Sequence, residues 1–291
     1  MIFKGSMVAL VTPFRDGKVD EDGLKRLVEF HIKNGTTALV PCGTTGESAT
    51  LSYDEHDTVI ELTIKFANGR IPVIAGTGSN STEEAIMLTR HAKKAGADAS
   101  LQVSPYYNRP TQKGLYLHFK AIAEAVDIPI ILYNIASRTG VNIEPETFAR
   151  LAEIKNIIGV KEASGSLEQM SRIKKLCPKE FLLISGDDAL TLPVMSIGGL
   201  GVISVVANII PRDVADMCLA FEKGDLKKAE GLHYKMLNII KAMFIETNPI
   251  PVKTAMGLMK MIEPDLRLPL CEMVLENKDK LIKALKDYKL I

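Results

Sequence analysis

Dense runs of lysine and arginine are missing from this sequence: 24% of its 291 residues are charged, yet the formal net charge is only +1. That balance argues against a nucleic-acid surface built on basic patches. The four cysteines, Cys42, Cys177, Cys218 and Cys271, stand far apart and form no C-x-x-C pair. In a chain of this size they read as reduced thiols of a cytoplasmic protein, with no disulfide frame. The five histidines, His31, His56, His91, His118 and His233, are scattered and form no H-E-x-x-H or H-x-H pair, so no metal site is expected. Met1 runs straight into the strand-like I-F-K-G-S-M-V-A-L-V-T-P, with no positive-then-apolar leader. One uncharged stretch, between Asp188 and Arg212, imitates a membrane span, but Pro193, Gly198, Gly199, Gly201, Asn208 and Pro211 interrupt it. A spanning helix needs about 20 predominantly apolar residues without such punctuation. The stretch reads as buried core in which Gly-Gly divides a short helix from a short strand.

What is present is 46% hydrophobic and alternates between two periods. Short apolar runs recur as M-V-A-L-V-T, T-A-L-V-P, I-P-V-I-A-G, A-S-L-Q-V, P-I-I-L-Y-N, I-I-G-V-K, F-L-L-I-S-G and G-V-I-S-V. Their lengths suit strands buried on both faces. Between them the spacing turns helical, as in Leu24, Leu27, Val28 and His31, then Val59, Leu62, Thr63 and Phe66, then Ala85, Leu88, Thr89 and Ala92. Ser52 with Glu55, Ser81 with Glu84 and Ser166 with Gln169 have the spacing of capping boxes. Eight strand-then-helix units in roughly 220 residues predict an α/β fold, a (β/α)8 barrel. A doubly wound open sheet competes, but its nearest nucleotide fingerprint, G-T-G-S-N-S from Gly76, lacks the third glycine. Beyond Gly224 only helical patterns follow, so a barrel over residues 1–224 and a C-terminal helical domain over 225–291 are expected.

In such a barrel, reactive side chains gather where strands end at their carboxyl termini. The second strand runs into C-G-T-T-G-E, whose small turn with free N–H groups can cradle a carboxylate or cap an ordinary helix. The fourth runs into S-P-Y-Y-N-R-P and the fifth ends on Tyr133-Asn134, followed by A-S-R-T-G with Arg138. The sixth ends on Lys161, directly after the apolar Ile157, Ile158, Gly159 and Val160. A lysine there is ordinarily solvated or ion-paired, because stripping water from an ammonium costs several kcal/mol. Strand alternation sets Ile157, Gly159 and Lys161 on one face and Ile158, Val160 and Glu162 on the other. Lys161 then meets Tyr133 on the neighbouring strand, with Gly159 leaving space below. A free lysine amine, with a pKa near 10.4, is about one part in 2,500 neutral at pH 7. A dry pocket raises that fraction and lets an amine form a Schiff base with a ketone. The imine then acts as an electron sink through which an α-keto acid loses a methyl proton. Tyr133 and Thr44 carry suitable hydroxyls for that proton, the Thr44-Thr45 backbone an anchor for a carboxylate, and Arg138 a grip for a second.

Four motifs in order, G-T-T-G-E from Gly43, S-P-Y-Y-N-R-P from Ser104, Y-N-x-x-S-R-T-G from Tyr133 and G-V-K-E-A-S-G from Gly159, resemble the dihydrodipicolinate synthase family of Schiff-base barrel enzymes. The resemblance runs from residue 1 through the closing helices. It implies condensation of pyruvate with L-aspartate 4-semialdehyde to give 4-hydroxy-tetrahydrodipicolinate, in lysine and diaminopimelate biosynthesis, without a cofactor. It implies that Lys161 forms the imine and that Tyr133 passes protons with Thr44 and with Tyr107, which enters the site of a neighbouring subunit. Thr45 and the backbone at Ile203 would hold pyruvate, and Arg138 the carboxylate of the semialdehyde. A homotetramer, a dimer of dimers, is implied as well. Ser48, Ala49, His56, Asn80, Glu84 and Tyr106 match the family's site for inhibitory L-lysine. Two residues depart from the pattern. Ala136 stands where proline is usual, which leaves the loop presenting Arg138 less stiff. Tyr53 stands where inhibited bacterial members often have histidine.

Other readings fit parts of the pattern. A sister enzyme, N-acetylneuraminate lyase or a 2-keto-3-deoxy sugar acid aldolase, shares the lysine and tyrosine, but a guanidinium after Tyr133 suits a carboxylate better than a sugar hydroxyl. A non-catalytic barrel sensing a keto acid or amino acid keeps the carboxylate turn without needing Lys161 and Tyr133 together. A thiol enzyme using Cys42 lacks an evident partner histidine.

Overall fold

The computed structural model describes residues 3–291; Met1 and Ile2, where the expected barrel domain and the leaderless start begin, lie outside the described residues. Eight parallel strands form one sheet: Gly5–Ala9, Ala38–Val40, Ile74–Gly76, Ala99–Val103, Ile130–Asn134, Ile157–Glu162, Leu182–Ser185 and Gly201–Ser204. Numbered in that order, they run 2-1-8-7-6-5-4-3. The remaining seam, between the second and third, is closed by a parallel bridge between Leu39 and Val73. There the Leu39 N–H donates to the Pro72 carbonyl at 3.0 Å and the Gly76 N–H to that of Pro41 at 3.0 Å. The sheet is therefore a barrel, and Gly76 ends a barrel strand rather than opening a nucleotide loop.

Each strand is followed by helix, and the eighth helix, Pro211–Glu222, completes the ring. The helical faces read from the sequence turn inward: Leu24, Leu27, Val28 and His31 are buried, as are Ala85, Leu88, Thr89 and Ala92. In Tyr53–Ala67 the buried face includes Val59, Ile60 and Thr63, while Leu62 and Phe66 are half-buried. The side chains of Met7, Ala9, Val40, Ile74, Leu101, Ile131, Ile184 and Ile203 fill the barrel interior. Burying each of the larger ones contributes about 1.5–3 kcal/mol relative to exposure.

Only one of the three capping boxes is reciprocal. Ser52 accepts from the Glu55 N–H while Glu55 reaches back to the Ser52 N–H. Ser81 and Ser166 accept from the N–H three residues on, but the Glu84 and Gln169 side chains turn elsewhere. The first strand also lies two residues earlier than its apolar run, at Gly5–Ala9. Past Ala9 the chain belongs to the mouth of the barrel: the Val11 N–H donates to Asn208 Oδ1 at 3.3 Å, and Thr12 Oγ1 to the Gly46 carbonyl at 2.7 Å.

Three further helices, Leu226–Ala242, Ile250–Leu258 and Leu275–Asp287, form the C-terminal extension. Ala229, Met236, Ile239, Leu281 and Leu285 join Val8, Leu24 and Val28 in one apolar cluster. The extension packs chiefly against the eighth ring helix, Pro211–Glu222, with a smaller contact to Thr191–Ser196. From there its middle helix reaches the mouth of the barrel.

Candidate active site

Lys161 and Tyr133 are direct neighbours in the ladder between the sixth and fifth strands. Both are almost wholly buried, at 6% and 5% exposure, and Lys161 Nζ lies 4.1 Å from the centre of the Tyr133 ring. Among the described residues no carboxylate lies within ion-pair distance of this amine. The neighbouring Glu162 points outward and is satisfied there by Asn134 Nδ2 at 3.0 Å, Gln169 Nε2 at 3.2 Å and the Ser164 N–H at 2.6 Å. A lysine head group over an aromatic face is attracted to the ring, which eases its burial.

Strand alternation holds from Gly159 to Glu162 but fails just before. A register shift pairs Ile130 with Ile157 and Ile131 with Gly159, leaving Ile158 as the extra residue. Ile157 therefore packs with the outer layer, and Ile158 against the barrel interior. A one-residue bulge of this kind re-aims the residues that follow it. Gly159 does not supply the space below the lysine either: a Cβ there would meet Leu182 Cβ at 2.5 Å, so the glycine admits the seventh strand. The residue that makes room for the lysine stem is Gly186, where a Cβ would lie 3.2 Å from Lys161 Cε and 2.7 Å from Ala163 Cβ.

The second strand delivers the C-G-T-T-G-E turn to the same mouth. It is closed by N–H donation from Gly46 to Gly43 and from Glu47 to Thr44, each at 3.1 Å. Thr44 is half-buried and Thr45 buried. Glu47, with φ of 54°, turns its carboxylate toward Lys253 at 2.6 Å and the Arg267 N–H at 3.1 Å. Asn248 Nδ2 donates to Thr45 Oγ1 at 3.0 Å, and the carbonyl of Asn248 accepts from Arg138 Nη2 at 2.9 Å. Arg138 stands on a helical turn, Ala136–Thr139, rather than a free loop. Hydrogen bonds from Thr139 to Ile135 at 3.0 Å and from Gly140 to Ala136 at 2.9 Å hold it despite the missing proline. Ile203 is buried in the interior, paired with Met7 of the first strand.

Tyr107 is set apart: it is 91% exposed, with φ of 69°, while Tyr106 is 40% exposed. Of the residues matched to a lysine site, Ser48 and Ala49 lie on the short 3-10 turn that follows Glu47. Glu84 accepts from Tyr53 at 2.7 Å and from Ser79, and Asn80 Nδ2 donates to the Tyr106 carbonyl at 3.3 Å. The Glu84 carboxylate pushes the Tyr53 phenol up, whereas Tyr106 is pushed up by burial first and by Glu84 second. His56 is buried with Nε2 2.9 Å from the Gly76 carbonyl, and burial lowers its pKa. Burial likewise pushes the Cys42 thiol far up, which suits an inert core residue and not a nucleophile.

Three residues of this constellation, Gly186, Asn248 and Lys253, were not singled out by sequence reading. Lys253 offered the same signal as Lys161, a charge inside an apolar run, here I-P-V-K-T-A-M. Among the described residues no group of His, Cys, Asp and Glu is placed to hold a metal ion, and no helix is long and apolar enough to cross a membrane.

Comparison with known proteins meets the same arrangement from another side. Residues 2–288 match the model of the Dihydrodipicolinate synthetase family. A 4-hydroxy-tetrahydrodipicolinate synthase of Endomicrobium trichonymphae is 62% identical over 291 residues, covering 100% of both chains. The crystal structure of dihydrodipicolinate synthase from Aquifex aeolicus superposes with a TM-score of 0.98 at 53% identity, covering 99% of each chain. That of the enzyme from Cyanidioschyzon merolae with lysine bound gives 0.96 at 42% identity, again over 99% of each. With full-length matches on this scale, and with a lysine buried beside a tyrosine inside the barrel, the chain belongs to the dihydrodipicolinate synthase family.

Proposed function

We infer that this protein condenses pyruvate with L-aspartate 4-semialdehyde to give 4-hydroxy-tetrahydrodipicolinate. The observation that carries the reading is the amine of Lys161, buried without a carboxylate partner and 4.1 Å from the Tyr133 ring centre. A buried structural lysine is ordinarily paired, as Lys253 is with Glu47 at 2.6 Å. An unpaired one at a strand's carboxyl end is placed for chemistry.

The neutral amine attacks the keto carbon of pyruvate, and loss of water leaves an imine. Withdrawal of a methyl proton converts it to an enamine, whose terminal carbon attacks the aldehyde and forms the new carbon–carbon bond. Tyr133 and Thr44 carry these protons, with Tyr107 as the further relay. Thr45 and the backbone at Ile203 hold the pyruvate carboxylate, and Arg138 holds that of the semialdehyde. The amine of the semialdehyde then attacks the imine carbon, closes the ring and frees Lys161. A guanidinium fits a carboxylate partner better than the hydroxyls of a sugar acid, which favours this pair of substrates over a sialic acid or keto-deoxy sugar acid.

The exposed Tyr107 fits a homotetramer built as a dimer of dimers, in which this phenol completes a neighbour's site. Four free thiols fit a cytoplasmic setting. L-lysine binds at Ser48, Ala49, His56, Asn80, Glu84 and Tyr106 as a feedback inhibitor, as the lysine-bound relative suggests.

Borohydride reduction in the presence of pyruvate, followed by peptide mass spectrometry, tests the mechanism. A covalent adduct on the Lys161 peptide is expected, and its absence overturns the reading. Rates with pyruvate plus aspartate semialdehyde, set against cleavage of sialic acid, test the substrate pair.

A further inference from the structure

We propose that Asn248, from the C-terminal extension, is a positioning residue that makes the Thr45 hydroxyl a hydrogen-bond donor toward the keto-acid carboxylate. The proposal rests on the reading of the Thr44-Thr45 turn as the carboxylate anchor. Thr45 is 2% exposed, and its Oγ1 accepts from Asn248 Nδ2 at 3.0 Å. A hydroxyl can both donate and accept. With the amide pointing a proton at its oxygen, the Thr45 O–H turns away from Asn248 and presents its own proton elsewhere. Among the described residues it has no other hydrogen-bond partner. A hydroxyl fixed as a donor favours an anion at the mouth of the barrel.

Asn248 is itself held from two sides. It is 5% exposed, and its carbonyl accepts from Arg138 Nη2 at 2.9 Å. One turn further on, Lys253 is fixed by Glu47 at 2.6 Å and by the Thr12 carbonyl at 3.0 Å. The helical extension therefore reaches both carboxylate grips through one residue: Thr45 by the side chain, Arg138 by the main chain. Substituting the side chain disturbs the first contact and leaves the second.

That separation makes the proposal testable in the full-length enzyme, with pyruvate and aspartate semialdehyde as the substrates. Asn248→Ala releases the hydroxyl and should raise KM for pyruvate about fivefold, in line with one lost neutral hydrogen bond, with kcat and KM for the semialdehyde nearly unchanged. Asn248→Asp should be worse by about another tenfold, since the carboxylate captures the Thr45 proton and repels the incoming anion. In a Thr45→Val background both effects should shrink, because the hydroxyl through which Asn248 acts is gone. Melting curves confirm that each variant is folded. If Asn248→Asp matches the wild type, Thr45 donates to residue 248 and the proposal is wrong. It is equally wrong if Asn248→Ala leaves KM for pyruvate unchanged, or if the effects persist in the Thr45→Val background. Borohydride trapping on the wild type separates the two levels. An adduct with unranked variants overturns only the role of Asn248, whereas no adduct overturns the proposed condensation and, with it, the catalytic setting in which Asn248 is placed.

Discussion

Lys253 and Glu47 meet at 2.6 Å with both side chains fully withdrawn from solvent. The other Glu47 oxygen takes the Arg267 N–H, and Lys253 also donates to the Thr12 carbonyl and covers the Phe14 ring at 4.2 Å. Burial lowers the lysine pKa and the Glu47 charge opposes that shift. Every polar atom of the pair is answered, so removing one partner strands the other charge in the core. Lys253→Met or Glu47→Gln should each cost about 3–5 kcal/mol in urea unfolding. The double variant should cost clearly less than the sum. Simple additivity would show that the two do not act as a pair.

Gly186 governs the space around Lys161, the proposed nucleophile. Its Cβ, if present, would meet Ala163 Cβ at 2.7 Å and Lys161 Cε at 3.2 Å. Gly186→Ala should therefore push the lysine stem off its seat over Tyr133. Overpacking of this kind costs about 1–3 kcal/mol of stability, and a misplaced nucleophile costs about 100-fold in rate. The check is borohydride trapping of the folded variant, which should be slowed in parallel with turnover. Normal trapping in a folded protein would refute the steric role.

Much of this was legible because barrel chemistry has a simple grammar. Buried strands show as short apolar runs, the helices between them as 3.6-residue spacing, and a charge closing an apolar run as an anomaly. Lys161 stood out as that anomaly, and Tyr133 as the side chain that strand alternation sets beside it on the neighbouring strand. The bulge at Ile158 did not, since no residue in I-I-G-V-K announces an extra position in the ladder. Gly186 and Asn248 were hidden for a different reason. Each matters through a neighbour distant in sequence, Asn248 lying 203 residues from Thr45. Lys253 could have been found by the rule that found Lys161, but it lies in a helix of the extension, where the reading sought no site. Glu84 had the spacing of a cap, and only the structure shows its carboxylate given to Tyr53 and Ser79.

Tyr53 bears on the proposed inhibition by L-lysine through that same carboxylate. Its hydroxyl donates to Glu84 Oε1 at 2.7 Å and so occupies an acceptor that an ammonium group of bound lysine would use. Tyr53→Phe should free the oxygen and strengthen inhibition by L-lysine severalfold, with uninhibited turnover unchanged. Dose–response curves for the two proteins check this. Equal or weaker inhibition in the variant would show that the phenol does not compete for Glu84.

His31 gives the fold an acid sensitivity of its own. The ring is fully buried on the first helix, with Nδ1 3.1 Å from Thr36 Oγ1, and burial lowers its pKa from 6.5 to about 3. The unfolded chain takes up a proton near pH 6.5, while the folded chain resists until about pH 3. Stability from the neutral ring is thus fully present above pH 6.5 and declines as the pH falls toward 3. His31→Asn retains a polar group toward Thr36 but cannot titrate. Relative to this variant, the wild type should lose up to about 1.4 kcal/mol per pH unit across that window. Above it the two profiles should run parallel. His118, lowered to about 4 by burial, and the carboxylates titrate in both proteins and cancel in the difference. Urea unfolding at half-unit steps of pH measures it, and profiles that stay parallel down to pH 4 would show that His31 does not carry this sensitivity.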